Sequence, residues 1–464
     1  MAPITSIFAP FVAAVALLAP LASAAPQLFR DGKFIGLPIA NAEALNLIPS
    51  SYIVVYNSSM DTADIDASQA SIMSTIAKRN VYKRSLDGRQ LSTRVQTCQI
   101  NKWRALMLDA DDKTILDIMK DPTVAYVEGD AKVQLNIPET PVLEEDSDMH
   151  ALPVDASGPL TKRASTSQTG APSGLFRLSA TAPNGATTGT YTFDETAGQN
   201  ITVYVVDTGV RITHTEFEGR AEFPVEANFI NPGTEVDENG HGSHCAGTIA
   251  GKTFGVAKNA KIVGVKVLDA QGGGQNSGVI AGMNFVAKNV AENGRGRKSV
   301  MNMSLGGASS RAVNEAINNI RAAGVVPVVA AGNENQNAAN SSPASAAGAI
   351  TVGAIDQRTD AKASFSNFGE VVDIFAPGVQ VVSVDAKSNT GSKALSGTSM
   401  ASPHVAGLAA YLMALDPTLT AGGALSSAAD KVDARMKALA DAMGATVKNN
   451  TRGTTNRIAN NGNV

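Results

Sequence analysis

Four segments after residue 164 constrain the fold most. "NITVYVVDTGV", "AKIVGVKVLDA", "KSVMNMSLGG" and "GVVPVVAAGN" are continuous apolar runs, not alternating ones. A strand that is apolar on both sides must be covered on both sides. Between these runs lie the helical stretches "GSHCAGTIAG", "GVIAGMNFVAKNVAEN" and "SRAVNEAINNIRAAG", and "HVAGLAAYLMAL" follows them. The alternation predicts an α/β fold with a parallel sheet flanked by helices on both faces. In such sheets ligands bind beyond the carboxyl ends of the strands. Asp207, Gly306 and Asn333 all follow such strands directly. The tail "VKNNTRGTTNRIANNGNV" reads as a short strand and surface turns.

The chain before residue 164 reads differently. Residues 1–24 contain an uncharged apolar run ending in Ala22-Ser23-Ala24, the pattern of a secretory signal cut after Ala24. A membrane anchor is the alternative, but the run is short for a span. Residues 25–136 form a second unit, whose core (48–135) has the order β-α-β-β-α-β, a small split-βαβ α+β module. Residues 137–163 are rich in proline and acidic residues, lack an apolar face and end in Lys162-Arg163. They read as a linker with a processing site between Arg163 and Ala164. The carboxyl-terminal domain then spans 164–464. The 464 residues carry a formal net charge of −4, so no basic surface points to nucleic acid or an anionic membrane. Cys98 and Cys245 lie on opposite sides of the linker, which excludes a disulfide scaffold.

Three short motifs can meet at the sheet edge. "VVDTGV" puts Asp207 at a strand end, "ENGHGSHCAGT" puts His241 at a helix start, and "SGTSMASPH" puts Ser399 at another. A serine hydroxyl is a weak nucleophile near neutral pH. It needs a base within hydrogen-bond reach and a group that orients the base. Asp, His and Ser supply those roles, and a helix start aims free N–H groups at developing negative charge. The order Asp207, His241, Ser399 is that of subtilisin-like triads, whereas an esterase of the α/β-hydrolase kind needs G-x-S-x-G and the order Ser, Asp, His. His241 and His244 could suggest a metal pair, but no third ligand lies nearby in the sequence. His404 reads as a buried structural histidine, His214 as a loop residue and His150 as part of the linker. Cys245 lies four residues after His241, which predicts a thiol on the same helix face, near the imidazole but outside the reaction.

These motifs, together with "FGVAKNAKIVGVKVLD", "SLGG" and "AAGNENQNA", resemble the signature segments of the subtilases, and most closely the proteinase K-like secreted enzymes of fungi. The resemblance covers about residues 170–460. It implies a secreted serine endopeptidase of broad specificity, made as a zymogen, with a vacuolar location as the alternative. Residues 48–135 resemble the ferredoxin-like, inhibitor-type propeptide of the same enzymes, so the chain's own amino-terminal module is expected to be its inhibitor. Carried over, Asp207 orients His241, His241 is general base and then acid, Ser399 attacks the peptide carbonyl, and Asn333 donates to the oxyanion. Ser304, Leu305 and Gly306 would bind the substrate on one side and Gly272 on the other, with Gly332 a further substrate-binding residue. Asp373, with backbone carbonyls near Ala347 and Ala349, would be a structural calcium ligand; the chemistry itself requires no cofactor. Protein and peptide substrates and a monomeric enzyme are expected. The other reading is a catalytically inactive binding protein of the same fold. Sequons start at Asn57, Asn200, Asn302, Asn340 and Asn449, of which Asn302, in a buried strand, should carry no glycan.

Overall fold

The computed structural model describes residues 29–30, 33–34, 37–44, 46–138 and 165–463. Each predicted apolar run is a strand of one eight-stranded sheet: Thr202–Asp207, Lys261–Lys266, Ser299–Met303 and Val325–Ala330. Ile350–Asp356 and Ile374–Pro377 extend it, and all six pair in parallel. Val203, Tyr204, Val205 and Val206 are all fully buried, as are Val325, Val326, Val328 and Val329, so both faces are covered and the strands lack polar alternation. At about 1.5–3 kcal/mol for each fully buried large aliphatic side chain, this layer is the main source of cohesion.

The helices His241–Ala250 and Thr398–Leu415 pack on one another and on the sheet. Asn276–Glu292 and Arg311–Ala322 pack together elsewhere on it, within a second apolar cluster. A further helix, Ser427–Met443, contributes Ala429, Val432, Met436 and Leu439 to the first cluster.

The amino-terminal module has the expected order: strand Leu47–Tyr56, helix Thr62–Arg79, strands Gln96–Ile100 and Trp103–Asp109, helix Asp112–Ile118 and strand Val124–Gln134. "RVQTCQINKWRALMLDA" resolves into a hairpin turning at Asn101, whose φ of 54° is left-handed. One face of its sheet packs on its own two helices. The other buries Ile53, Val55, Cys98, Ile100, Trp103 and Met107 against the Asn276–Glu292 and Arg311–Ala322 helices.

Glu128 and Asp130 sit two apart on the Val124–Gln134 strand, hence on the same face. Glu128 accepts from Ser310 Oγ and from the N–H groups of Arg311 and Ala312, at 2.9, 2.7 and 3.0 Å. Asp130 accepts from Ser277 N–H at 3.1 Å and Ser277 Oγ at 2.6 Å. The strand thus supplies a carboxylate to the start of each helix it covers, where unpaired N–H groups and the helix dipole favour negative charge.

The same strand continues toward the carboxyl edge of the large sheet. Gln134, Val133 and Lys132 pair antiparallel with Gly273, Gly274 and Gln275, so the large domain adds a strand to the module's sheet. The signal segment, most of the linker, and Arg163 with Ala164 lie outside the described residues. Among those described, no helix is long and apolar enough to cross a membrane.

Candidate active site

Asp207 ends its strand fully buried, and His241 is the first residue of its helix. Gly242 lets the two meet. A Cβ there would lie 2.2 Å from the Gly209 carbonyl oxygen and 3.1 Å from Asp207 Cβ, so only glycine allows the helix start to press against the strand end. His241 Nδ1 lies 2.8 and 3.0 Å from the two carboxylate oxygens of Asp207. With Nδ1 engaged by a carboxylate it carries the proton, and Nε2 is left basic. Nε2 is buried and has no hydrogen-bond partner among the described residues. Burial alone would depress the imidazole, but the Asp207 charge prevails and holds its pKa well above the ordinary 6.5. A protonated imidazole cannot take up another proton, so raising the pKa moves the acid limb of activity upward. The kcat/KM of the enzyme on a peptide anilide should therefore rise with pH about a midpoint above 6.5; a midpoint at or below that value would contradict this account of His241.

Ser399 is the second residue of the Thr398–Leu415 helix. Pro403 stands four residues later and has no N–H, so the Ser399 carbonyl lacks its helical donor. Ser304 Oγ donates to that oxygen at 2.9 Å and Cys245 Sγ at 3.4 Å. Ser304 Oγ also accepts from Asn302 Nδ2 at 3.0 Å and lies 2.9 Å from Ser402 Oγ, which donates to Asn302 Oδ1 at 2.9 Å. This closed, buried network fixes the backbone under the serine. It also accounts for Asn302, which is wholly buried. The Ser399 hydroxyl itself donates to the Ser304 carbonyl at 3.1 Å, so it is turned from His241 in this arrangement.

Asn333 follows the Val325–Ala330 strand after Gly332, whose φ is 102° and where a Cβ would lie 2.3 Å from Asn367 Nδ2. Asn333 Oδ1 accepts from Thr398 N–H and Thr398 Oγ1, both at 2.8 Å. Its amide orientation is thereby fixed, with Nδ2 as the free donor. That donor reaches the Asn136 carbonyl oxygen at 2.5 Å. Leu135 N–H donates to the Gly272 carbonyl at 2.9 Å, and Asn136 Nδ2 to Glu334 Oε1 at 2.9 Å. Residues 134–136 border a cavity of about 700 Å³ that Leu305, Gly306, Gly332, Asn333 and Ser399 also line. Ser304 thus sits beneath the Ser399 helix, Leu305, Gly306 and Gly332 line this cavity, and Gly272 meets the incoming segment through its bond from Leu135.

Cys245 Sγ is 4.0 Å from His241 Nδ1, and burial pushes its thiol up, so it stays protonated beside the pair. His244 turns its Nε2 to the carbonyls of Val381 and Lys393, at 3.0 and 3.1 Å. Burial depresses its pKa to about 3, and it is a neutral donor rather than a metal ligand. His404 bonds Met400 O at 2.8 Å and is held neutral by burial, at about 4. His214 caps a short turn, accepting from Glu216 N–H at 3.3 Å.

Asp237 is a residue the sequence reading missed. Its buried carboxylate accepts from Thr208 Oγ1, Gly240 N–H, Ser243 N–H and Ser243 Oγ, at 2.8, 2.8, 2.9 and 2.6 Å. It thus ties the residue after Asp207 to the start of the His241 helix. The available signal was an aspartate a few residues before a helix start, close enough for its side chain to reach the free N–H groups there.

A peptide carbonyl is held at the carboxyl edge of a parallel sheet by a fixed amide donor, next to a helix-start serine and a buried Asp–His pair. A fold and edge of this kind define a serine hydrolase. Comparison with known proteins narrows the class. The subtilase (peptidase S8) family model matches residues 198–460. Subtilisin-like protease 2 of Pseudogymnoascus destructans is 42% identical over 454 residues, 97% of this chain and 98% of that protein. Subtilisin-like serine protease Pen ch 13 of Penicillium rubens is 43% identical, covering 90% of this chain and 92% of that one. A solved structure described as a cold adapted subtilisin-like serine proteinase is 39% identical, with a TM-score of 0.55 over 63% of this chain and 99% of its own. The chain belongs to the subtilase family, and it is a serine endopeptidase that acts on proteins.

Proposed function

We propose that the chain is exported as an inactive precursor, that residues 25–136 are its inhibitor, and that Ser399, His241, Asp207 and Asn333 are its catalytic groups. The observation that carries this reading is the path of residues 132–136. Lys132, Val133 and Gln134 pair with Gly273–Gln275 as a substrate strand would, Leu135 N–H bonds the Gly272 carbonyl, and the Asn136 carbonyl accepts from Asn333 Nδ2. Recognition by main-chain pairing is indifferent to most side chains, which supports broad specificity.

In the reaction, Ser399 Oγ turns to His241 Nε2, gives it the proton and attacks the carbonyl carbon. The oxyanion takes hydrogen bonds from Asn333 Nδ2 and the Ser399 N–H. The C–N bond breaks as His241⁺ gives its proton to the leaving amine. Water, deprotonated by His241, then hydrolyses the acyl ester and frees Ser399. Asp207 keeps the tautomer and stabilises the imidazolium throughout. Applied to the chain itself, this chemistry would cut first between Asn136 and Ile137. Cleavage after the dibasic Lys162-Arg163 pair would then be a second event, leaving Ala164 as the new amino terminus. The mature enzyme is proposed to be a monomer.

Trp103, the chain's single tryptophan, reports on this sequence of events. It is buried in the interface, and its Nε1–H donates to Glu315 Oε2 at 2.9 Å. During maturation its emission should shift to the red in step with the appearance of peptidase activity, while mass spectrometry detects fragments ending at Asn136. Full activity with unshifted tryptophan emission would overturn the inhibitor assignment. Fragments ending only at Arg163 would overturn the Asn136 cut alone.

A further inference from the structure

The position offered by family resemblance to calcium is engaged by this chain's own cations. Asp373 immediately precedes the Ile374–Pro377 strand, and its Oδ2 accepts from Thr351 N–H at 2.9 Å, which ties that strand end to the neighbouring one. Its other oxygen, Oδ1, accepts from Lys437 Nζ at 2.8 Å. Lys437 comes from the Ser427–Met443 helix, and its ammonium also bonds Asp433 Oδ2, one turn earlier, at 3.0 Å. Both pairs are about three-quarters buried, with side chains 22–27% exposed. Burial would lower the Lys437 pKa, but its bonds to Asp373 and Asp433 raise it, so the ammonium stays charged.

The loop from which the carbonyls near Ala347 and Ala349 would complete a calcium shell carries a cation at the carbonyl between them. Arg321 Nη1 donates to the Gly348 carbonyl at 3.1 Å, and its Nη2 pairs with Asp430 of the same carboxyl-terminal helix at 2.6 Å. A calcium ion needs six to eight oxygen ligands. Here the one carboxylate the resemblance supplies already holds an ammonium, and a guanidinium bonds a carbonyl of the loop. The residues present do not fit a calcium ion.

We infer that Lys437 replaces a structural cation at this position: the carboxyl-terminal helix delivers a tethered ammonium to Asp373, and with it fastens itself to the edge of the sheet. A tethered charge cannot be removed by a chelator. Stability at this site is then independent of calcium and depends on the Ser427–Met443 helix staying docked.

The test uses the mature enzyme, blocked with a serine-directed sulfonyl fluoride to prevent self-digestion, and follows thermal unfolding in EDTA and in calcium chloride. Lys437→Met should lower Tm by roughly 2–5 °C in EDTA, the loss of a partly buried ion pair in a domain of this size. Asp373→Asn should lower it comparably, and the double variant little further, since the two residues serve one interaction. Whatever response the wild type shows to calcium should be unchanged in Asp373→Asn. A calcium stabilisation of the wild type that Asp373→Asn abolishes would overturn the inference. So would a Lys437→Met variant that unfolds at the wild-type temperature.

Discussion

Ser399→Ala should give a folded precursor that never becomes a peptidase. Loss of the nucleophile is expected to reduce kcat by about 10⁶, the scale found for the subtilisin triad, which is the worked case for this chemistry. The fold should persist because the hydroxyl makes one hydrogen bond, to the Ser304 carbonyl, and the network beneath it runs through the Ser399 backbone and Ser304 Oγ. The variant should remain uncut between Asn136 and Ile137, with Trp103 still paired to Glu315. Hydrolysis of a peptide anilide at the wild-type rate would exclude Ser399 as nucleophile. Appearance of an Ala164 terminus in this variant would show that a separate protease makes the second cut, without touching the triad.

Asn333→Leu should have the next largest effect. The fixed Nδ2 donor that holds the Asn136 carbonyl would be lost, and an oxyanion-hole donor of this kind is worth about 10²–10³ in kcat, again from the subtilisin example. The strand that precedes the carbonyl is held by its pairing with Gly272–Gln275, which the substitution leaves intact, so KM should change little. Thr398 N–H and Oγ1 also lose their acceptor, which makes a modest drop in Tm part of the expectation. Steady-state kinetics separates the cases. A rise in KM with kcat unchanged would mean that Asn333 binds substrate uniformly and has no special hold on the transition state.

The parts of this molecule that were legible in the sequence share a cause. Val203 and Val205 on one face and Tyr204 and Val206 on the other announce their strand because both faces are buried, so no charged residue interrupts the run before Asp207. Asp207, His241, Ser399 and Asn333 stand at strand ends and helix starts, where short motifs record local backbone demands. Longer-range pairings leave no such mark. Asp373 and Lys437 are 64 residues apart and read singly as surface charges. The Ser427–Met443 helix does place Ala429, Val432, Met436 and Leu439 on one side, but Asp430, Lys431, Asp433 and Arg435 blur the pattern. Asp237 looks like a turn residue until its four donors are seen together. The arrival of Asn136 in the cleft depends on where a strand from another module ends, which no local pattern encodes.

One serine, activated by the buried Asp–His pair, is proposed as the nucleophile. The most direct test is stoichiometric inactivation of the mature enzyme with an organophosphorus fluoride, followed by peptide mass mapping. The account predicts a single adduct on Ser399, formed in proportion to activity lost and absent from the uncut precursor, whose cleft already holds residues 134–136. Complete inactivation with the adduct on another residue would contradict it.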